Sequence, residues 1–325
     1  GPLLGFQVGW LLWLTRVTAF AALCNLLLEY LAHLWPAATT PAWRVGLATG
    51  IVALMVAVNI RGVRPAAIVT NVFTIGKLVP LLLFVAVGLW FVEPARLVPQ
   101  ATPTVADFSA GMLLLVFAFT GFETATVPAG EVRDPRRTLP FAILTALAVI
   151  VPVYLLVQVV CIGTLPELAD SNRPLADAAQ RFAGSAGAAV IVVGALVSIT
   201  GTLNGQVLAA PRLLFAMAEH GQAPAVLGRT HRRHHTPHVA IALTGVAMLV
   251  LTLSGSFMAA VAISTLTRLL TYAATCAAVP VLRRRPDAPP ALFRAPGGML
   301  TVAVALVVIA WLFASVGVRE LRDVG

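Results

Sequence analysis

The sequence predicts an all-α protein that crosses a membrane many times. Of its 325 residues, 59% are hydrophobic and only 11% are charged, whereas a soluble domain carries about 25% charged residues. The mean hydropathy is +0.92, and the apolar residues form long continuous runs. A run of roughly 18 or more apolar residues can span the hydrocarbon layer as a helix. A membrane β-barrel would instead show short segments of alternating polarity.

Nine apolar runs are predicted to be membrane-spanning helices of a single domain that covers residues 1–325. At 1.5 Å per residue each run can cross a hydrocarbon layer of about 30 Å, although the second and the seventh are barely long enough. The runs lie at about residues 3–34, 45–60, 66–91, 108–127, 139–165, 186–217, 239–253, 257–282 and 299–318.

The charges of the loops predict which helix ends face the cytoplasm. One set of loops carries twice as many arginines as the other, and the richer set is expected inside the cell. This places residues 61–65, 129–138, 218–238 and 283–297 in the cytoplasm. The net charge of +9 is therefore a topology signal. We exclude a nucleic acid partner, because the sequence has no nucleic-acid-binding motif and no basic helix face.

Neither a metal site nor an enzyme active site is predicted. The loop 218–238 contains His231, His234, His235 and His238, but a zinc site usually combines histidine with cysteine or carboxylate ligands, and none lies among them. The sequence also lacks the HExxH, GxSxG and P-loop motifs. We therefore expect no cofactor and no catalytic residue.

The most informative segment lies inside the fourth apolar run, at residues 117–123. Thr120 and Gly121 are poor helix formers in the middle of this run, and Glu123 comes two residues later. A helix broken here would free the carbonyl groups of residues 118–120 to bind an ammonium group. The restarting half-helix would favour a carboxylate. Alternatively, Gly121 permits a close helix crossing and Glu123 bonds to a neighbour, and the residue types alone leave both interpretations open.

Other ionisable residues inside the predicted spans need a partner or a role, since each costs roughly 2.5–3.5 kcal/mol at the bilayer centre. They are Arg16, Lys77 and Arg268. A buried lysine can exchange a proton during a transport cycle. Lys77 has structural alternatives: permanent pairing with carbonyl or carboxylate groups, or extension toward the cytoplasmic interface.

Four segments resemble amino acid permeases of the amino acid–polyamine–organocation (APC) superfamily. Residues 117–140, FAFTGFETATVPAGEVRDPRRTLP, resemble the sixth helix and following loop of that family. The third, fifth and eighth helices are matched by GPLLGFQVGWLLWL, NVFTIGKLVPLLLF and GTLNGQVLAAPRLLFAMAEHGQAP. The resemblance implies the LeuT-type inverted-repeat fold, with helices one and six broken. It also implies that the nine runs correspond to helices 3–11, with the first two helices and the last one missing.

The resemblance further implies a substrate site and a coupling site. Phe117 takes the position of an aromatic gate, and Glu123 that of an acid that couples the gate to the substrate. Lys77 takes the position of a lysine that replaces a sodium ion in proton-coupled relatives. The residues expected to contact the substrate are Phe117, Ala118, Phe119, Thr120, Gly121, Phe122 and Glu123.

The implied function is secondary transport of amino acids across the cell (inner) membrane by alternating access, as proton-coupled symport or as exchange. Neutral L-amino acids are favoured, because only Glu123 and, near the outer end of the first run, Glu29 could pair with a cationic side chain. The alternative is a cationic amino acid or polyamine exchanger, and a channel or non-transporting sensor is more remote. The expected partners are the amino acid, protons and the lipid bilayer. The oligomeric state is left open.

Overall fold

The computed structural model describes residues 2–99, 102–126, 132, 134–171, 173–255, 257–286 and 293–323. Every regular element within these residues is helical, which confirms the predicted all-α fold class. The α-helices of the described chain are α1 Pro2–Leu34, α2 Pro41–Arg61, α3 Val63–Gly88, α4 Val105–Ala118, α5 Pro135–Thr164, α6 Pro174–Glu219, α7 His238–Ser254, α8 Phe257–Arg283 and α9 Gly298–Asp323.

Six of these helices, α1, α2, α5, α6, α8 and α9, are long and apolar enough to cross a membrane. Shorter apolar helical segments are Gly76–Phe91, which begins in α3 and ends in the 3-10 turn after it, Val105–Ala118 (α4) and His238–Ser254 (α7). Because α4 leaves the helical conformation after Ala118, its predicted span is only partly α-helical. Nine complete spans remain a prediction.

α6 is interrupted close to its start. Gly184 has φ +65 and ψ −163, which lies outside the helical region and suits a residue without a Cβ atom. The interruption separates residues 174–183 from the long segment 185–219. Only the longer segment takes part in the central packing described below.

The core of the bundle is built around α1, which packs against α6, α7 and α8. Phe20, Leu203 and Met248, from α1, α6 and α7, are completely buried in one apolar cluster. Between α1 and α8 the contact is also polar, since Thr15 Oγ1 donates a hydrogen bond of 2.8 Å to Thr267 Oγ1. Hydroxyl contacts of this kind hold helices together where lipid offers no hydrophobic driving force.

α3 and α6 approach each other closely and run antiparallel. A Cβ atom added to Gly201 would lie 2.4 Å from Phe73 Cβ, and one added to Gly194 would lie 2.9 Å from Pro80. Both pairs are seven residues apart on their helices, which is two turns. Lys77 lies one turn from Phe73 and one turn from Pro80, so this crossing places it on the side of α3 that faces α6.

Candidate functional site

The chain leaves the α-helical conformation at the Thr120–Gly121 segment. α4 ends at Ala118, and Gly121 has φ +111, a conformation that favours glycine. The backbone N–H and the side-chain hydroxyl of Thr120 both turn back to the carbonyl of Phe117. Within the described residues, we find no hydrogen bond to the carbonyl oxygens of Ala118, Phe119 and Thr120. The break therefore leaves a short row of backbone acceptors without a described hydrogen-bond partner.

The chain after the break differs from the predicted half-helix. The described part continues as a 3-10 helix of five residues, Phe122–Thr126. The backbone N–H group just before this helix already has a partner, because the N–H of Gly121 donates a hydrogen bond of 3.0 Å to Glu123 Oε2. The carboxylate of Glu123 therefore bonds to a backbone N–H group that the sequence analysis had expected to be available to the carboxylate of a ligand. Residues 127–131, which include the end of the predicted span and the start of the predicted loop 129–138, lie outside the described residues.

A cavity of about 470 Å³ lies in front of the break, and we call it the central cavity. It is bounded by α1, α3, α5, α6, α8 and the end of α4. The predicted site residues that line it are Phe117, Ala118, Phe119, Thr120, Gly121, Phe122 and Lys77. Its volume falls within the range of about 300–1,000 Å³ that is typical of sites for small molecules.

Several polar residues of this cavity were missed in the sequence. They are Tyr154 of α5, Ser198, Thr202 and Gln206 of α6, and Arg268 of α8, which had been noted as a buried charge but not as part of the site. The three α6 residues are spaced by four, so they form a polar stripe on one face of an otherwise apolar helix. That stripe is a signal that could have identified them.

Lys77 lies between two cavities. It lines the central cavity and also a neighbouring one of about 560 Å³ bounded by α1, α3, α5 and α6. The residue is half-buried, and no hydrogen bond or ion pair joins its ammonium group to a described residue. Permanent pairing, one of the alternatives for this lysine, is therefore not observed in the described part of the chain.

Phe117 closes one side of the central cavity. It packs against a buried cluster of small residues made by Ala21 and Ala22 of α1 together with Ala260 and Val261 of α8. Small side chains leave room for an aromatic ring to change its rotamer without disturbing the backbone of its neighbours.

Glu123 does not line the central cavity but lies behind the break. Together with Arg16 and Tyr272 it lines a larger and mostly apolar cavity of about 710 Å³. Its Oε1 atom contacts Arg268 Nη1 at 2.6 Å and Arg16 Nη2 at 3.7 Å. Its Oε2 atom accepts hydrogen bonds from Tyr272 Oη at 3.2 Å and from the N–H of Gly121. We call Arg16, Glu123, Arg268 and Tyr272 the ion cluster.

The ion cluster joins the broken segment to the rigid part of the bundle. Arg16 belongs to α1 and Arg268 to α8, and both side chains are only 2% exposed. Arg16 also donates a hydrogen bond of 3.4 Å to Gln206 Oε1 of α6. The three buried charges that the sequence analysis had treated one by one are therefore partners of one another.

The helices, the break and the central cavity indicate a multi-pass α-helical membrane protein whose broken helix lies beside a cavity, an organisation found in secondary transporters. Residues 1–321 match the family model of amino acid permeases, and the chain therefore belongs to the amino acid permease family. This confirms the resemblance found in the sequence.

Three relatives from Bacillus subtilis (strain 168) illustrate the range of this family. A methylthioribose transporter is 31% identical over 262 residues, which is 76% of this chain and 57% of the relative. The serine/threonine exchanger SteT is 34% identical over 215 residues, 61% of this chain and 48% of the relative. The branched-chain amino acid permease BcaP is 27% identical over 264 residues, 79% and 56% respectively. The chain thus spans about half the length of the curated relatives it matches. All three are transporters and not enzymes, in agreement with the sequence.

Proposed function

We propose that this chain is the substrate-binding part of a secondary transporter for amino acids in the cell (inner) membrane. The observation that carries the proposal is the break at Thr120–Gly121, because residues 118–120 line the central cavity there and no described group bonds to their carbonyl oxygens. An ammonium group has three donors and no acceptor, so a row of backbone carbonyls suits it. The names of the relatives support the proposal, since two of them are named for amino acids.

Transport by alternating access requires the cavity to open to one side of the membrane at a time. We place the moving part at Gly121, where the chain is no longer held by helical hydrogen bonds, and the gate at Phe117. Glu123 follows the movement through the ion cluster, where it contacts α1 and α8. Residues 61–65, 129–138, 218–238 and 283–297 would face the cytoplasm.

Neutral L-amino acids are the preferred substrates in this proposal. The described lining of the central cavity contains two cations, Lys77 and Arg268, and no aspartate or glutamate. A cationic side chain would meet charges of its own sign there, which disfavours binding. The same charges argue against a cationic amino acid or polyamine exchanger.

Coupling to protons is assigned to Lys77. A lysine that has no described partner and lies between two cavities can gain or lose a proton as the access side changes. Exchange of one amino acid for another remains the alternative mode, and the two differ in whether net uptake carries protons.

The proposal is tested with the protein reconstituted in proteoliposomes. We expect saturable uptake of serine or leucine, stimulated when the vesicles are preloaded with the same amino acid, and much weaker competition by arginine and putrescine. Uptake without trans-stimulation would indicate a channel, and absence of uptake for all amino acids would contradict the proposal. Acidification of the vesicle lumen during net uptake separates proton symport from exchange.

A further inference from the structure

We propose that Tyr154 of α5 determines which amino acid side chains the central cavity accepts, because it separates this cavity from the neighbouring one. The inference rests on the proposed function in one respect, namely that the amino acid binds in the central cavity. It adds a specificity-determining residue, and it adds the space that a large side chain would enter if that residue were smaller.

The first observation is the wall that the two cavities have in common. The central cavity of about 470 Å³ and the neighbouring cavity of about 560 Å³ share five lining residues, Lys77, Ala146, Ile150, Tyr154 and Ser198. Three of them follow one another at intervals of four on α5, so one face of this helix borders both cavities. Tyr154 has the largest side chain of that face and carries the only aromatic ring among the shared residues. Its ring is therefore a principal part of the wall.

The second observation is the contact that holds the Tyr154 ring in this wall. The ring centroids of Tyr154 and Phe119 are 5.1 Å apart and the ring planes are tilted by 53°, which is a favourable arrangement for an aromatic pair. Phe119 belongs to the broken segment after α4 and lines the central cavity. No hydrogen bond from the Tyr154 hydroxyl to a described residue is found. The ring, rather than the hydroxyl, thus fixes this residue in the wall.

The third observation is the chemistry on the far side of the wall. The neighbouring cavity is lined mainly by aliphatic side chains, among them Leu26, Leu81, Val153, Leu175 and Ile191. In its described lining, Lys77 is the only charged residue. An apolar space of this kind suits an aromatic side chain, whereas the charged groups of an amino acid would stay with the polar groups of the central cavity. With Tyr154 in place, the side chain of the ligand must fit into the central cavity alone.

The inference is tested with Tyr154→Ala, by measuring the affinities for tryptophan and serine from their effect on the melting temperature in detergent. We expect the affinity for tryptophan relative to serine to rise at least about tenfold, because the indole gains apolar contact in the neighbouring cavity. Tyr154→Phe retains the ring and its contact with Phe119, so it should keep the wild-type ratio of the two affinities.

Two further variants show whether the space that is gained is the neighbouring cavity. Ala195 of α6 lines this cavity but not the central one. Adding Ala195→Leu to Tyr154→Ala refills part of the space and should remove most of the gain for tryptophan. Tyr30 of α1 provides the matched control, since it also lines only the neighbouring cavity of the two. Tyr30→Ala enlarges that cavity without opening the wall, and we expect the wild-type ratio.

The inference is overturned if Tyr154→Ala folds but keeps the wild-type ratio or binds neither amino acid, or if Tyr30→Ala raises the ratio as much. Should Tyr154→Ala not fold, the ratio is measured in Tyr154→Leu, and failure of this variant to fold would show that Tyr154 is structural and would overturn the inference too. All these results leave the proposed function intact as long as the wild type binds and transports amino acids. A wild type that binds no amino acid contradicts the proposed function itself, and the inference with it.

Discussion

The two sides of the break at Thr120–Gly121 differ in whether their polar groups have hydrogen-bond or ion-pair partners. Behind it, the carboxylate of Glu123 contacts two guanidinium groups, a phenol and a backbone N–H. In front of it, no described group pairs with the carbonyls of residues 118–120 or with the ammonium group of Lys77. A buried polar group without a partner is costly. The rear side therefore holds the broken segment in place, whereas the front side leaves polar groups that the proposed substrate would satisfy.

Removal of the rear carboxylate should have the largest effect. Glu123→Ala leaves Arg16 and Arg268 buried without their shared counter-charge, and breaking a buried ion pair costs about 3–5 kcal/mol. We expect a large fall in melting temperature in detergent, or failure to obtain folded protein. The control is Glu93→Ala, which removes an exposed pair with Arg96 and should change stability little. If Glu123→Ala melted like the wild type, the rear side would not be holding the segment.

Substitution of the glycine at the break should have an intermediate effect. At Gly121 no atom lies within 4 Å of an added Cβ, so the cost of Gly121→Ala comes only from φ +111. We expect a loss of about 1–2 kcal/mol and slower uptake. Gly50→Ala in α2 is the matched control, since it also has open space around the added atom but helical backbone, and it should be neutral or slightly stabilising. Equal effects of the two changes would argue against a special conformation at Gly121.

Removal of the front lysine should hardly change stability. Lys77 makes no hydrogen bond or ion pair with a described residue, so Lys77→Met breaks no described contact. We expect the melting temperature not to fall, because the substitution breaks no described contact and removes a half-buried charge. Proton-coupled net uptake should be lost while exchange is retained, as measured with a pH-sensitive dye inside the vesicles. A strongly destabilised variant would mean that Lys77 is structural.

The smallest effect on stability is expected for His231, which lies in the loop before α7 and away from the break. His231 Nδ1 accepts hydrogen bonds of 3.2 Å from the N–H groups of Arg233 and His234. Desolvation, the neighbouring imidazoles and Arg233 lower the pKa of His231 from 6.5. Because the folded state binds this proton less readily than the unfolded state, stability is present at neutral pH and declines as the pH falls below about 6.5.

The loop prediction is checked by melting curves between pH 5 and 8. His231→Asn keeps a side-chain acceptor but cannot titrate, so we expect it to reduce the pH dependence slightly and to leave uptake at pH 7.5 unchanged. An unchanged pH profile in this variant would show that other groups cause the decline.

The sequence predicted the front of the break better than the rear. Thr120 and Gly121 stand out locally, because two poor helix formers in an apolar run need no knowledge of the rest of the fold. Glu123 and Arg268 are separated by 145 positions, and each could have been satisfied by many partners. Only the tertiary packing, in which α4 contacts α8, brings their side chains together. The orientation of Gln206 could not be predicted either, since it depends on Arg16 from another helix.

Neighbouring positions of α6 have different roles: Gly201 packs closely against Phe73 of α3, whereas Ser198 and Gln206 line the central cavity. Gly201 cannot accept a side chain without moving α3, and with it Lys77. Gln206 and Ser198, one or two turns away, project toward the cavity and are free of that constraint. Substitutions at Ser198 or Gln206 can therefore change the lining of the cavity without the shift of α3 that a side chain at Gly201 would require. Engineering of the specificity of this chain should begin at Ser198 and Gln206 and leave Gly201 untouched.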